Sequence, residues 1–228
     1  MNEIILMSDP KVAAVPTRDC GERLVDARRG GQILIDERQQ DGSGAFTQLR
    51  EGVFERLLTA QKNLPEKLRV LFVEGYRPST LQRRYFDQYA AGLSAAHPDW
   101  PAERIRSAAS RYVSPPEVAP HSAGAAVDLT LADADGRELD LGSPVNANPE
   151  VSAGACYTQA DNISEEARTY RQILASALTA VGMVNYPTEW WHWSFGDRYW
   201  ALATQSEAAV YGPIEFRRGS GAHSSEPW

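Results

Sequence analysis

The sequence predicts a domain that mixes helices with short strands, and three stretches carry that expectation. Leu68 to Val73 is a short, β-branched and aromatic run bounded by Pro65 and Gly75, the composition of a buried strand. Val127, Leu129 and Leu131 alternate with Asp128 and Thr130, the two-residue period of a strand with one face on a core. Tyr170, Ile173, Leu174, Ala177, Leu178 and Val181 recur at helical spacing, behind Ser164 and ahead of Gly182. A chain of 228 residues can bury a sizeable core, and no repeat or composition shift divides residues 1–228, so one domain is expected.

In chain order, residues 1–30 lack a clear period and read as an extended arm that wraps the domain. Gln32 to Asp36 is a short β-type run, and Asp41 to Gly44 is a loop. From Phe46, Leu49, Val53, Phe54, Leu57 and Leu58 fall at helical spacing until Pro65 stops them. Ser79 or Thr80 can cap a helix through Ala91, with Arg83, Arg84 and Asp87 on a solvated face, and Pro101 can start another through Tyr112. Pro115, Pro116 and Pro120 forbid helix and deliver His121 on a stiff, irregular loop. Residues 133–136 form a turn. Residues 142–162 are turn-rich, and a connection that long is a candidate rim or lid. Glu165 and Glu166 suit the positive end of the helix behind Ser164. A strand over Glu189 to Phe195 follows Pro187, and residues 217–228 are a Gly/Ser-rich tail expected to fray.

Composition narrows the partners. Asp and Glu total 30 against 23 Lys and Arg, for a net charge of −7, and no basic run occurs, so nucleic acid is not expected. The apolar run at Ile4 to Met7 has no preceding positive charge, unlike a secretory signal. No apolar stretch approaches the roughly 20 residues that span a bilayer, so no membrane partner and a cytoplasmic location are expected. Cys20 and Cys156 are too few and too far apart for a thiolate metal site; two reduced thiols are the favoured reading over one disulfide.

The residues with chemical meaning fall in two runs. His121 and Asp128 stand seven apart across a glycine-containing loop that enters a strand, with Asp128 on the face opposite Val127 and Leu129. His192 lies among Trp190, Trp191 and Trp193, where a buried imidazole needs a partner. Glu189 has the opposite strand parity from His192, so the chain must bend there if both are to reach one site. Two imidazoles and a carboxylate leave one position open for water on zinc, as in catalytic sites, and a spare carboxylate could move that water's proton. The competing readings are an Asp128 that only bonds its loop and a satisfied core histidine at 192. Arg77, between Gly75 and Pro78 past a buried strand, could stabilise an oxyanion or simply pair with Glu74 or Asp87. His97, beside Pro98, and His223, in the tail, read as structural.

These runs resemble the zinc D-alanyl-D-alanine dipeptidases of the VanX type, which read approximately S-x-H-x-x-G-x-A-x-D, then E-x-W-H, with an upstream G-Y-R-P. Here the matching residues are Ala119 to Asp128, Glu189 to His192 and Gly75 to Pro78, in the same order, within a similar region of roughly residues 20 to 200. The resemblance implies an α+β fold, with a small, mainly antiparallel sheet and helices packed around it, as in Hedgehog-type and zinc D,D-carboxypeptidase domains. It implies one zinc per chain on His121, Asp128 and His192, Glu189 as general base and then acid, and Arg77 as transition-state stabiliser. It also marks two departures: Ala119 replaces a serine that helps hold the substrate carboxylate, and Asn146 replaces the aspartate that receives the substrate amine. The expected function is hydrolysis of D-Ala-D-Ala or a similar small dipeptide. D,D- or L,D-carboxypeptidase action on longer cell-wall peptides, and a non-catalytic zinc-containing binding module, are the alternatives.

Overall fold

A computed structural model of the chain describes residues 4–39 and 43–216. Its elements are α1 (Pro10–Ala14), β1 (Leu24–Asp26), β2 (Leu34–Ile35), β3 (Gln48–Arg50), α2 (Glu51–Asn63), β4 (Leu68–Glu74), α3 (Ser79–Ala96) and α4 (Ala102–Ala109). They continue with β5 (Ala126–Asp133), α5 (Glu165–Thr179), β6 (Val184–Tyr186), β7 (Glu189–Ser194) and α6 (Arg198–Ala203). The main sheet has the order β2-β4-β5-β7-β6 and is antiparallel except for the β2–β4 pair, while β1 and β3 form a separate antiparallel pair. The architecture is α+β with a small, mainly antiparallel sheet.

The two faces of the sheet divide the labour. Val127, Leu129 and Leu131 of β5 and Val70 and Phe72 of β4 enter the main core, which also takes Val53 and Leu57 from α2 and Leu174 and Leu178 from α5. Each such side chain, fully buried, contributes about 1.5–3 kcal/mol of transfer free energy. The alternation expected for 127–131 therefore holds, and Asp128 and Thr130 face the other side. The Ser164 hydroxyl accepts a hydrogen bond from the Ala167 amide at 3.0 Å and caps α5.

Three boundaries differ from the sequence reading. The helix expected from Phe46 begins only at Glu51, because residues 48–50 are drawn into pairing with residues 24–26, a long-range contact that helical spacing cannot reveal. The next helix runs to Ala96, and neither Ser79 nor Thr80 caps it: Pro78 holds the cap position and Ser79 is already helical. The helix after Pro101 ends at Ala109 rather than Tyr112. Within the N-terminal segment, the Thr17–Ala209 bridge and β1 tie residues 17–26 to distant chain. The cysteines are both free, with Cys20 exposed and Cys156 buried. His97 stacks on Trp100 at 3.8 Å between ring centroids. His223 and the 217–228 tail lie outside the described residues.

Candidate metal and catalytic centre

Strand register builds the site. Glu74 on β4 pairs with Asp128 on β5, and Asp128 pairs with His192 on β7, so three polar side chains form one row across the central strands. Glu189 joins them through the expected bend. Between β6 and β7, Asn185 pairs with Trp193 but the next residue, Tyr186, pairs with Glu189, so β7 carries extra residues at this point. The Asn185 amide spans the irregularity, donating to the carbonyls of both Glu189 and His192 at 2.9 Å.

His121 arrives from the other direction, on a 3-10 turn over Pro120–Ala123 that ends at Gly124 with φ 64°. Arg50, buried beneath this turn, holds it through Nε to the Ala123 carbonyl and through its amide to the Gly124 carbonyl, each at 2.8 Å. A Cβ on Gly124 would lie 2.5 Å from a Leu24 methyl, so close approach as well as positive φ requires glycine there. The His121 Nδ1–H donates to the Gly75 carbonyl at 2.6 Å, which leaves Nε2 as the free donor pair. Gly75 itself runs against β3: a Cβ would sit 2.4 Å from the Gln48 carbonyl oxygen.

The ligand-type atoms of His121, Asp128 and His192 all lie within 4.8 Å of one another, and all three residues are buried. His121 Nε2 is 3.2 Å from His192 Nδ1, and Asp128 oxygens stand 3.0 Å from His192 Nδ1 and 3.5 Å from His121 Nε2. Tetrahedral zinc bonds of about 2.0–2.1 Å place donors about 3.3–3.4 Å apart, so this trio fits the ion. Burial works against the Asp128 charge, but the two imidazoles outweigh it and hold the carboxyl far below the usual range. Burial pushes the His192 imidazole down, against the pull of Asp128, and keeps it neutral. An ionised carboxylate beside a neutral imidazole is the protonation state metal binding needs.

Glu189 is buried beside the trio, with a carboxylate oxygen 4.0 Å from His192 Nδ1. Burial raises its pKa well above the ordinary value, and the charges of Asp128 and Glu74 add to the rise while Arg77 opposes it. A bound cation would act against that rise and favour the ionised form, which can take a proton. The Arg77 guanidinium lines the same cavity and is fixed on two sides. Its Nε and Nη2 donate to the Glu74 carboxylate at 2.8 and 2.5 Å, and Nη1 donates to Gln82 Oε1 at 2.9 Å. Three of its five N–H groups are so engaged, and the rest can meet a ligand. Desolvation disfavours its charge, but Glu74, Asp128 and Glu189 outweigh that and raise its pKa. The pairing expected of Arg77 is made with Glu74, not Asp87, and the residue also lines the cavity.

The cavity over these groups measures about 620 Å3. It is also walled by Tyr85, Tyr89, Tyr112 and Asn146. Asn146 has φ 64°, and its carbonyl accepts from the Tyr112 hydroxyl at 2.9 Å, so the 142–162 segment does contribute to the rim. Ala119 is buried at the cap position that opens the His121 turn. Sequence reasoning missed Tyr89 and Tyr112, which reach the cavity through the packing of α3 and of the turn after α4, and Gln82, which holds Arg77 from behind; nothing local singles them out.

Comparison with known proteins follows the same line. The peptidase M15 family model, described as D-Ala-D-Ala dipeptidase, matches residues 37–209. A D-alanyl-D-alanine dipeptidase of Synechocystis sp. is 27% identical, over 89% of this chain and 96% of that protein. The D-alanyl-D-alanine dipeptidase of Escherichia coli K12 is 35% identical over 72 residues, 32% of this chain and 35% of its own length. Among solved structures, the LdcB LD-carboxypeptidase superposes with a TM-score of 0.45 at 15% identity, covering 92% of this chain and 89% of that one. The VanY D,D-pentapeptidase of a VanB-type vancomycin resistance cassette, solved with Zn(II), gives 0.40 at 14% identity, over 78% and 91%.

Proposed function

The chain belongs to the D-Ala-D-Ala dipeptidase family of M15 metallopeptidases, and from that premise we propose that His121, Asp128 and His192 hold its zinc while Glu189 and Arg77 perform hydrolysis of D-Ala-D-Ala or a similar small dipeptide. When bound, zinc supplies Lewis acidity, making a water more acidic and polarising the scissile carbonyl. Glu189 takes a proton from the attacking water and returns it to the leaving amine as the C–N bond breaks. Arg77, already aimed by Glu74 and Gln82, receives the negative charge that grows on the carbonyl oxygen. Tyr112 fixes the rim through Asn146.

One observation carries this reading above a purely structural zinc: a buried carboxylate, Glu189, stands beside the ligand trio as a second acid that the trio does not need. A structural ion gains nothing from such a neighbour. The test is Glu189→Gln. Elemental analysis should find zinc retained, and turnover of D-Ala-D-Ala should fall by about 10²–10⁴-fold. Undiminished hydrolysis, or wild-type protein that binds no zinc, sinks the assignment.

A second reading, carboxypeptidase action on longer cell-wall peptides, is favoured by Asn146. Its neutral amide on the cavity wall attracts a free ammonium less than a carboxylate would. Free and N-acylated D-Ala-D-Ala separate the two: release of D-Ala only from the blocked peptide selects the carboxypeptidase.

A further inference from the structure

One position on α5 breaks the pattern of its own helix. Ala167, Leu174, Ala177 and Leu178 are its buried apolar residues, and Arg171 stands among them, only 5% exposed. The Arg171 guanidinium forks to three carbonyls. Its Nε donates to Leu141 at 2.7 Å, Nη2 to Ala155 at 2.7 Å and Nη1 to Tyr157 at 2.8 Å. Arg50 and Arg77 meet the carboxylates of Asp19 and Glu74, whereas every one of these acceptors is neutral. Burial pushes the Arg171 pKa down to about 10, so the charge is costly where an apolar side chain would pack at less expense.

The chain it holds runs directly to the irregularity in β7. Between the carbonyls of Ala155 and Tyr157, that of Cys156 accepts from the Trp190 amide at 3.0 Å. The Arg171 guanidinium carbon lies 5.2 Å from the centroid of the Trp190 ring, and the indole N–H donates to the Ser143 hydroxyl at 2.9 Å. One residue further on, the Thr158 amide donates to the Pro187 carbonyl at 3.0 Å, and the Thr158 hydroxyl donates to Asn185 Oδ1. That bond fixes which way the Asn185 carboxamide faces, and its nitrogen then reaches the carbonyls of Glu189 and His192. Residues 155–158 therefore form a strap, gripped by Arg171 on one side and bonded on the other to the chain around Glu189.

We propose that Arg171 is a positioning residue for Glu189: through the 155–158 strap it sets the backbone from which that carboxylate reaches the trio. Lysine is a poor substitute, since an ammonium is a point donor without the planar fork that three separate carbonyls require. The proposal rests on the peptidase reading above for the role of Glu189.

The test is steady-state kinetics on zinc-loaded Arg171→Lys, Thr158→Val and the double variant, with turnover counted per folded, zinc-loaded molecule. A misaimed base costs the chemical step more than binding, so Arg171→Lys should lower kcat by about 10–100-fold with KM within about twofold of wild type. Thr158→Val, which cuts the strap from Asn185 and leaves α5 intact, should lower kcat about tenfold in the same selective way. Because both act through one strap, the double variant should lose no more than about twofold beyond Arg171→Lys. Amide exchange in the zinc-free proteins adds a readout apart from activity: the Trp190 amide should exchange faster in both variants, while those of β4 keep wild-type rates. Unchanged kcat in either variant, a loss confined to KM, or losses that multiply in the double variant overturn the proposal. If Arg171→Lys does not fold, Thr158→Val decides alone by the same kcat criterion. An active Glu189→Gln protein would remove the peptidase reading instead, so the two failures give different results.

Discussion

The two ends of this sheet face hold charge in opposite ways. At the proposed metal end, His121, Asp128, Glu189 and His192 are each less than a tenth exposed, and their partners are backbone groups or one another. At the other end, Arg38 is 67% exposed and meets the buried Asp36 and the side chain of Glu138, 31% exposed, at the edge of the sheet, so the charge that answers the buried carboxylate lies in solvent. The buried end is costly to assemble, because carboxyl groups crowd in a poorly solvated place, where Arg77 and the raised pKa of Glu189 offset their repulsion. The exposed end costs little and holds little. Asp128, Glu189 and His192 are fixed in the central strands, while the Arg38 pairs sit on short edge elements that can vary without disturbing them.

The sharpest break in that contrast comes from Asp128→Asn. The amide keeps the shape but removes the one ionised ligand, so zinc affinity should fall by more than the 10–100-fold typical of losing an outer-shell partner. Activity should fall to background. The matching change at the exposed end, Glu138→Gln, should leave zinc affinity unaltered. Competition with a chelator reads both. Equal effects of the two substitutions would mean that the buried trio is not the metal site.

Glu74→Gln probes the next layer. Glu74 holds two edges of Arg77 in a geometry that a neutral amide matches poorly, so the guanidinium should lose its aim rather than its charge. The expected result is a drop of about 10–100-fold in kcat with a smaller change in KM, at undiminished zinc content. A change confined to KM would assign Arg77 to ground-state binding instead.

The convergence of His121, Asp128 and His192 was legible in the sequence, because these residues come with local signals. Glycine beside His121, apolar alternation around Asp128 and the parity clash between Glu189 and His192 each restrict where those side chains can point, and the clash is resolved by extra residues in β7. The supports were less legible. Gly75 serves through its carbonyl, Gln82 bridges Arg77 and the Ser114 carbonyl from α3, and Arg50 grips the His121 turn from a different strand pair. Each is a contact between segments far apart in sequence, or one made by a backbone atom every residue possesses. The misplaced start of α2 has the same cause: Leu49 fits a helical stripe, yet its partner across the β1–β3 pair is Val25.

The smallest effect belongs to Asp36→Asn, at the exposed end. Hydrogen bonds from the Arg38 side chain lower the Asp36 pKa, opposed by partial burial, and the Arg38 amide adds to the lowering. For a carboxyl whose pKa is depressed on folding, the stabilisation is present above the unfolded value of about 3.9 and is lost as pH falls through the folded value. Because Arg38 is mostly in solvent, the pair should contribute only about 0.5–1 kcal/mol at pH 7. In a chain of this length that amounts to about 1–4 °C in Tm. Thermal unfolding of wild type and variant should therefore differ at pH 7 and converge as pH drops towards 3. A gap of the same size at both ends of that range would show that Asp36 acts through packing, and the contrast between a costly buried end and an inexpensive exposed one would lose its second half.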